Sequence, residues 1–94
     1  MLVAAICLDK PGCLETRLKA RPDHLAFLEA YASAVKLGGP FLDAEGKPVG
    51  SLLIIDCADI AAAREMLAED PYAKAGLFAS VDVRPWRRAV GAEL

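Results

Sequence analysis

The chain has 94 residues, 55% of them apolar, and its 11 basic and 13 acidic side chains give a formal charge of −2. That is the size of one domain, expected to span residues 1–94, with a modest core that removes only about 60–65% of the unfolded surface from water. The only basic cluster, Arg84, Arg87 and Arg88, is too short for a phosphate track, so no nucleic acid partner is expected. Cys7, Cys13 and Cys57 are odd in number and lack C-x-x-C spacing, and there is a single histidine, so neither a disulfide framework nor a metal site is expected.

In chain order, Leu2–Leu8 is an apolar run with the length of a central strand. It is far shorter than the ~20 residues of a membrane span and has no basic residue ahead of it, so no membrane association and a cytoplasmic location are expected. Asp9-Lys10-Pro11-Gly12 is turn chemistry. From Cys13 the pattern becomes helical, with Leu14 and Leu18 four apart. Pro22 is expected to interrupt that helix and to open a second segment at its first position, with Leu25, Leu28, Ala32 and Val35 as the buried stripe. Gly38-Gly39-Pro40 should end it. Phe41-Leu42 then reads as the second strand and Gly50–Cys57 as the third, forming a hairpin with a long loop. Asp59 is placed to cap a helix with Ile60, Ala63 and Leu67 inward, and Asp70-Pro71 to start a short helical turn. Leu77–Val83 is the last strand, ending at Pro85.

The order βαββαβ is the split βαβ, or ferredoxin-like, α+β arrangement, with an antiparallel sheet carrying both helices on one face. Both alternating sets of the first strand are apolar: Leu2, Ala4, Ile6 and Leu8 on one side, Val3, Ala5 and Cys7 on the other. A sheet face in water should alternate with polar residues, and a large bare apolar face marks an interface. A homodimer through the open sheet face is therefore expected.

His24 is the one side chain whose unperturbed pKa lies near neutrality. In the first turn of the second helical segment the dipole would oppose its protonation, leaving a neutral base; the plainer reading of the pattern alone is a hydrogen-bonded structural histidine. Asp70 is placed to cap a helix and also to orient an imidazole. Arg17 and Arg21 are candidates for holding an anionic group, or are solvated helix charges. Ser51 has no G-x-S-x-G context for a nucleophile. Tyr72 and Trp86 are either packing aromatics or pocket walls. Cys13 lies near a helix start but has no histidine close in sequence, so it reads as a spectator.

Taken together, Asp9-Lys10-Pro11-Gly12, Leu14 with Arg17, Arg21-Pro22-Asp23-His24-Leu25, Gly39-Pro40, Gly50-Ser51, Asp70-Pro71-Tyr72 and Gly76 occur in one order along nearly the whole chain. That ordered set resembles the YCII-related (YciI-like) family. The resemblance implies a dimeric α+β barrel and an active site built on a histidine and an aspartate, which fall on His24 of the R-P-x-H-L motif and Asp70 of D-P-Y. It lends no support to Cys13, where similar proteins often carry a small residue.

Two functions follow. The first is an enzyme on a small organic molecule, needing no cofactor: His24 as general acid or base, Asp70 orienting it, Arg17 and Arg21 steadying a carboxylate or enolate, Ser51 and Tyr72 lining the pocket. Elimination or isomerisation after proton abstraction suits such a pair. No glycine-rich phosphate loop is present, which disfavours nucleotides. The second is a non-catalytic dimeric module that binds a small ligand in the same cavity.

Overall fold

The computed structural model describes residues 1–94. Strand β1 (Leu2–Asp9) takes the middle of the sheet, as its two apolar faces require. It pairs antiparallel with β3 (Pro48–Asp56) on one side and β4 (Phe78–Trp86) on the other, and β2 (Val35–Leu42) adds to β3, giving the order β2-β3-β1-β4. Helix α1 (Leu14–Ala30) connects β1 to β2, while α2 (Ile60–Ala68) and the single turn α3 (Pro71–Lys74) connect β3 to β4. This is the ferredoxin-like α+β topology. No helix is long and apolar enough to cross a membrane.

The register sorts the faces. Val3 lies opposite Ile55, Ala5 opposite Leu53 and Val83, and these residues meet Ala63, Met66 and Leu67 of α2 in the core. Asp59 caps α2 as its position implies, accepting from the Ala62 amide at 2.8 Å. On the other face no helix packs. Leu2, Ala4, Ile6 and Leu8 lie there beside Leu52, Ile54 and Leu37, and both Leu8 and Leu37 are 45% exposed. Trp86 joins this open face, opposite Leu2, and the last residues, Val90 to Leu94, border it.

Three local expectations are corrected. Pro22 does not interrupt α1, which runs unbroken from Leu14 to Ala30. The carbonyl of Leu18, which loses its amide partner, lies on the same exposed side of the helix as Pro22, where water can satisfy it. On the opposite side Arg17 and His24 are both buried and hold the two halves in line. Nor does the helix reach Leu37: Leu25 is 44% exposed, Ala32 lies in a turn, and Val35 starts β2. The Gly38-Gly39-Pro40 tract therefore belongs to a strand, and Pro40 and Pro85 are tolerated because β2 and β4 are the sheet edges.

A proline inside a helix costs about 3 kcal/mol relative to alanine, partly offset by about 1 kcal/mol through the stiffer unfolded chain. Pro22→Ala is accordingly expected to stabilise the protein by about 2 kcal/mol, read as a rise in melting temperature of roughly 8–16 °C. A fall on substitution would contradict this account of α1.

Candidate active site

Asp70 sits in extended backbone just ahead of α3, where its side chain accepts from the Tyr72 amide at 2.9 Å. The same oxygen, Oδ1, lies 2.8 Å from His24 Nδ1, joining residues 46 positions apart. A carboxylate can only accept, so Nδ1 donates to it, and in the neutral form of the ring the lone pair then falls on Nε2. Both side chains are buried, at 8% and 2% exposure. No protein group bonds Nε2, and His24 lines a cleft beside α1, so this nitrogen is the corner of the ring left for a ligand. No helix N-terminus lies at His24, contrary to the expectation from Pro22, because the residue stands in the middle of a continuous α1. Asp70 takes over the role of setting the tautomer.

Tyr72 supports this pair from behind. Its ring stacks on the imidazole with centroids 3.8 Å apart and planes at 16°, and meets Phe78 edge-on at 6.1 Å. The Arg17 guanidinium carbon lies 4.6 Å from the same ring's centroid, within cation–π reach. Burial pushes the Tyr72 phenol above its ordinary pKa of 10.0, against the pull of Arg17 and Arg21 and with help from Asp70 and Asp9. The phenol is a neutral O–H at physiological pH, with no protein hydrogen-bond partner.

Arg17 is no solvated helix charge; it is 4% exposed. Its Nη1 donates to both oxygens of Asp9, at 2.9 and 3.0 Å, and its Nη2 donates to Ser51 Oγ at 2.7 Å. Sequence alone marks Asp9 as a turn residue ahead of Lys10-Pro11-Gly12. A signal was there, since Asp9 continues the register of Val3, Ala5 and Cys7, which marks it as an acid on the buried face. Arg21 remains exposed at the rim of the cleft, without a hydrogen bond. Trp86 lies on the open sheet face, away from this site. Cys13 stays outside it too, its thiol turned to the Pro11 carbonyl.

The cleft holds about 370 Å³ between α1 and the edge strand β2. Leu18, Leu25 and Leu28 form its apolar wall, Gly38-Gly39-Pro40 the facing one, with Ser51, Leu53 and Tyr72 deeper in. It is open because Gly38 has no side chain: a Cβ there would come within 2.6 Å of Leu53 Cδ2. An apolar cavity of about 150 Å³ takes a benzene ring, so this one has room for a single substituted ring. No group of three His, Cys, Asp or Glu side chains comes together to hold a metal ion.

Beneath the site, Cys7 is 1% exposed, and burial, with Asp70 and Asp9 against Arg17, raises its thiol from 9.0 to about 12. A folded-state pKa above the unfolded one favours the native state at neutral pH; that contribution is lost as pH climbs from about 9 to 12. In native protein at pH 8, an alkylating reagent is expected to label half-buried Cys13 and Cys57 while sparing Cys7, which reacts only in denaturant. Rapid native labelling of Cys7, read by peptide mass, would contradict its burial.

The chain is thus a small ferredoxin-like α+β protein with a buried imidazole–carboxylate pair beside a cleft, and comparison with known proteins places it further. The sequence model of the YCII-related domain matches residues 1–87. Protein YciI of Escherichia coli O6:H1 is 31% identical over 94% of this chain and 98% of its own. The "derivative of benzaldehyde biosynthesis cluster protein C" of Emericella nidulans is 39% identical over 67% of this chain and 74% of its own. Among solved structures, the 5-chloro-2-hydroxyhydroquinone dehydrochlorinase TftG of Burkholderia phenoliruptrix, in complex with 2,5-dihydroxybenzoquinone, superposes with a TM-score of 0.90 at 33% identity, over 95% of this chain and 96% of its own. The chain belongs to the YCII-related family.

Proposed function

We propose that this protein is an acid–base enzyme of the lyase or isomerase type that acts on a hydroxylated six-membered ring, with His24 as proton-transfer group and Asp70 as its orienting partner. The observation that carries this is the 2.8 Å contact from His24 Nδ1 to Asp70, which leaves Nε2 as the unpaired ring nitrogen beside a cleft of ring size. Support comes also from the likeness to a dehydrochlorinase over nearly the full chain.

On a chlorinated hydroxyhydroquinone the chemistry balances without an oxidant. Nε2 accepts a phenolic proton and returns it to the ring carbon bearing chlorine. Loss of a second phenolic proton then expels chloride, and a quinone and HCl result. As the imidazole becomes imidazolium, the Asp70 carboxylate stabilises it. Ser51 and Tyr72 supply hydroxyl donors for the ring oxygens, Arg17 supports Ser51, and Arg21 meets negative charge at the rim.

The test is incubation with 5-chloro-2-hydroxyhydroquinone under anaerobic conditions, following chloride and quinone together. One chloride released per quinone, in proportion to enzyme, is expected. Saturable binding of 2,5-dihydroxybenzoquinone without any turnover of the chlorinated quinol or its tautomers would instead make the protein a ligand-binding module.

The apolar open sheet face is proposed to pair with a second copy of the chain. Light scattering is expected to give twice the 10.0 kDa of one chain. Ile6→Lys, on the centre of that face, should yield a folded monomer; an unchanged mass for the variant would exclude this interface.

A further inference from the structure

Ser51 has one proton to give, and its surroundings dictate where it goes. The hydroxyl accepts from Arg17 Nη2 at 2.7 Å, so that side of the oxygen is taken. No protein group accepts from it, Ser51 is 4% exposed, and it lines the cleft, so its proton is directed at whatever occupies the cleft. The direction holds only as long as Arg17 does. Arg17 in turn is fixed by Asp9, whose two oxygens both engage Nη1 in a pair with side chains 5% and 7% exposed. Asp9 itself does not line the cleft. It stands where the pairing of β1 with β4 shifts register, a kind of irregularity that re-aims side chains beside sites.

We propose that Asp9 is a positioning residue of this site: by clamping Arg17 it makes Ser51 a fixed, guanidinium-polarised donor for one ring oxygen of the ligand. This rests on the cleft being the ligand site proposed above. The pairing also offsets the Arg17 charge, so the anchor selects a quinone, enol or phenolate oxygen over a highly charged anion such as phosphate.

The probe is 2,5-dihydroxybenzoquinone, titrated by absorbance against wild type, Asp9→Asn, Ser51→Ala and the double variant, with inorganic phosphate as competitor. Each single change is expected to weaken binding roughly ten- to hundredfold, the loss of one charge-assisted hydrogen bond. The double variant should bind no more weakly than Ser51→Ala alone, since Asp9 acts through that hydroxyl. Losses that multiply in the double variant, or phosphate competing at concentrations near those of the quinone, would overturn the proposal.

A ligand-free arm keeps the outcome decisive. The Arg17 side-chain N–H signals should be protected from exchange in wild type and in Ser51→Ala, and lost in Asp9→Asn; protection that survives in Asp9→Asn refutes the clamp. Should Asp9→Asn fail to fold, Arg17→Lys serves instead, since an ammonium keeps the charge but cannot span Asp9 and Ser51 together. It is expected to bind the quinone as weakly as Ser51→Ala, and wild-type affinity would sink the idea. A wild type that binds no quinone while keeping the Arg17 protection would count against the proposed function and not against the clamp.

Discussion

His24→Gln is expected to lower chloride release from 5-chloro-2-hydroxyhydroquinone by about 10²–10⁴-fold, the usual contribution of one positioned acid–base group. Glutamine keeps hydrogen-bonding capacity beside Asp70 but cannot shuttle a proton, so binding of 2,5-dihydroxybenzoquinone should stay within a few fold of wild type. Asp70→Asn provides the complementary measurement. Asparagine caps a helix as well as aspartate does, so the bond from the Tyr72 amide survives and the melting temperature should barely move. What disappears is the negative charge facing Nδ1 at 2.8 Å, and with it the stabilised imidazolium, for a loss of roughly 10²–10⁴ in turnover. Turnover in either variant above half the wild-type rate would leave the pair with a purely structural part.

The largest effect on stability is expected from Arg17→Leu. The change leaves the Asp9 carboxylate buried with its cation gone, and Ser51 without the donor it accepts from. Removing one member of a buried ion pair costs about 3–5 kcal/mol, which for a chain of this size lowers the melting temperature by more than about 12 °C. Asp9→Leu combined with Arg17→Leu should recover most of that loss, because two apolar side chains escape the desolvation penalty that the pair carries. The recovered double variant should still bind the quinone poorly, since nothing then orients the Ser51 hydroxyl. A single variant that melts within a few degrees of wild type would show that water reaches Asp9 in solution.

The pattern of elements was legible because strands and helices write themselves into neighbouring residues. Alternation in Leu2–Leu8 marked a strand apolar on both faces, and that strand lies at the centre of the sheet. Asp59 and Asp70 announced helix starts through a cap that needs only the next three residues. Where the outcome depended on distant packing, local signals misled. Pro22 reads as a break, yet Arg17 and His24 are both drawn onto Tyr72 and keep α1 continuous. The Gly38-Gly39-Pro40 tract reads as a helix terminator, yet at a sheet edge it makes a strand whose bare inner face opens the cleft. Leu18 and Leu25 follow helical spacing, yet they face that cleft instead of the core.

The order βαββαβ, the strand faces and the short roster of residues able to do chemistry are all readable from the residues in a row. It took the folded chain to show that His24 meets Asp70 across 46 residues, that Arg17 reaches Ser51 across 34, and that Asp9 joins them. Periodicity states which face of an element is buried, because that depends on spacing alone. Which partner waits on the other side depends on every element packing at once, and a charge enters the interior only where that packing brings its counter-charge within hydrogen-bond reach.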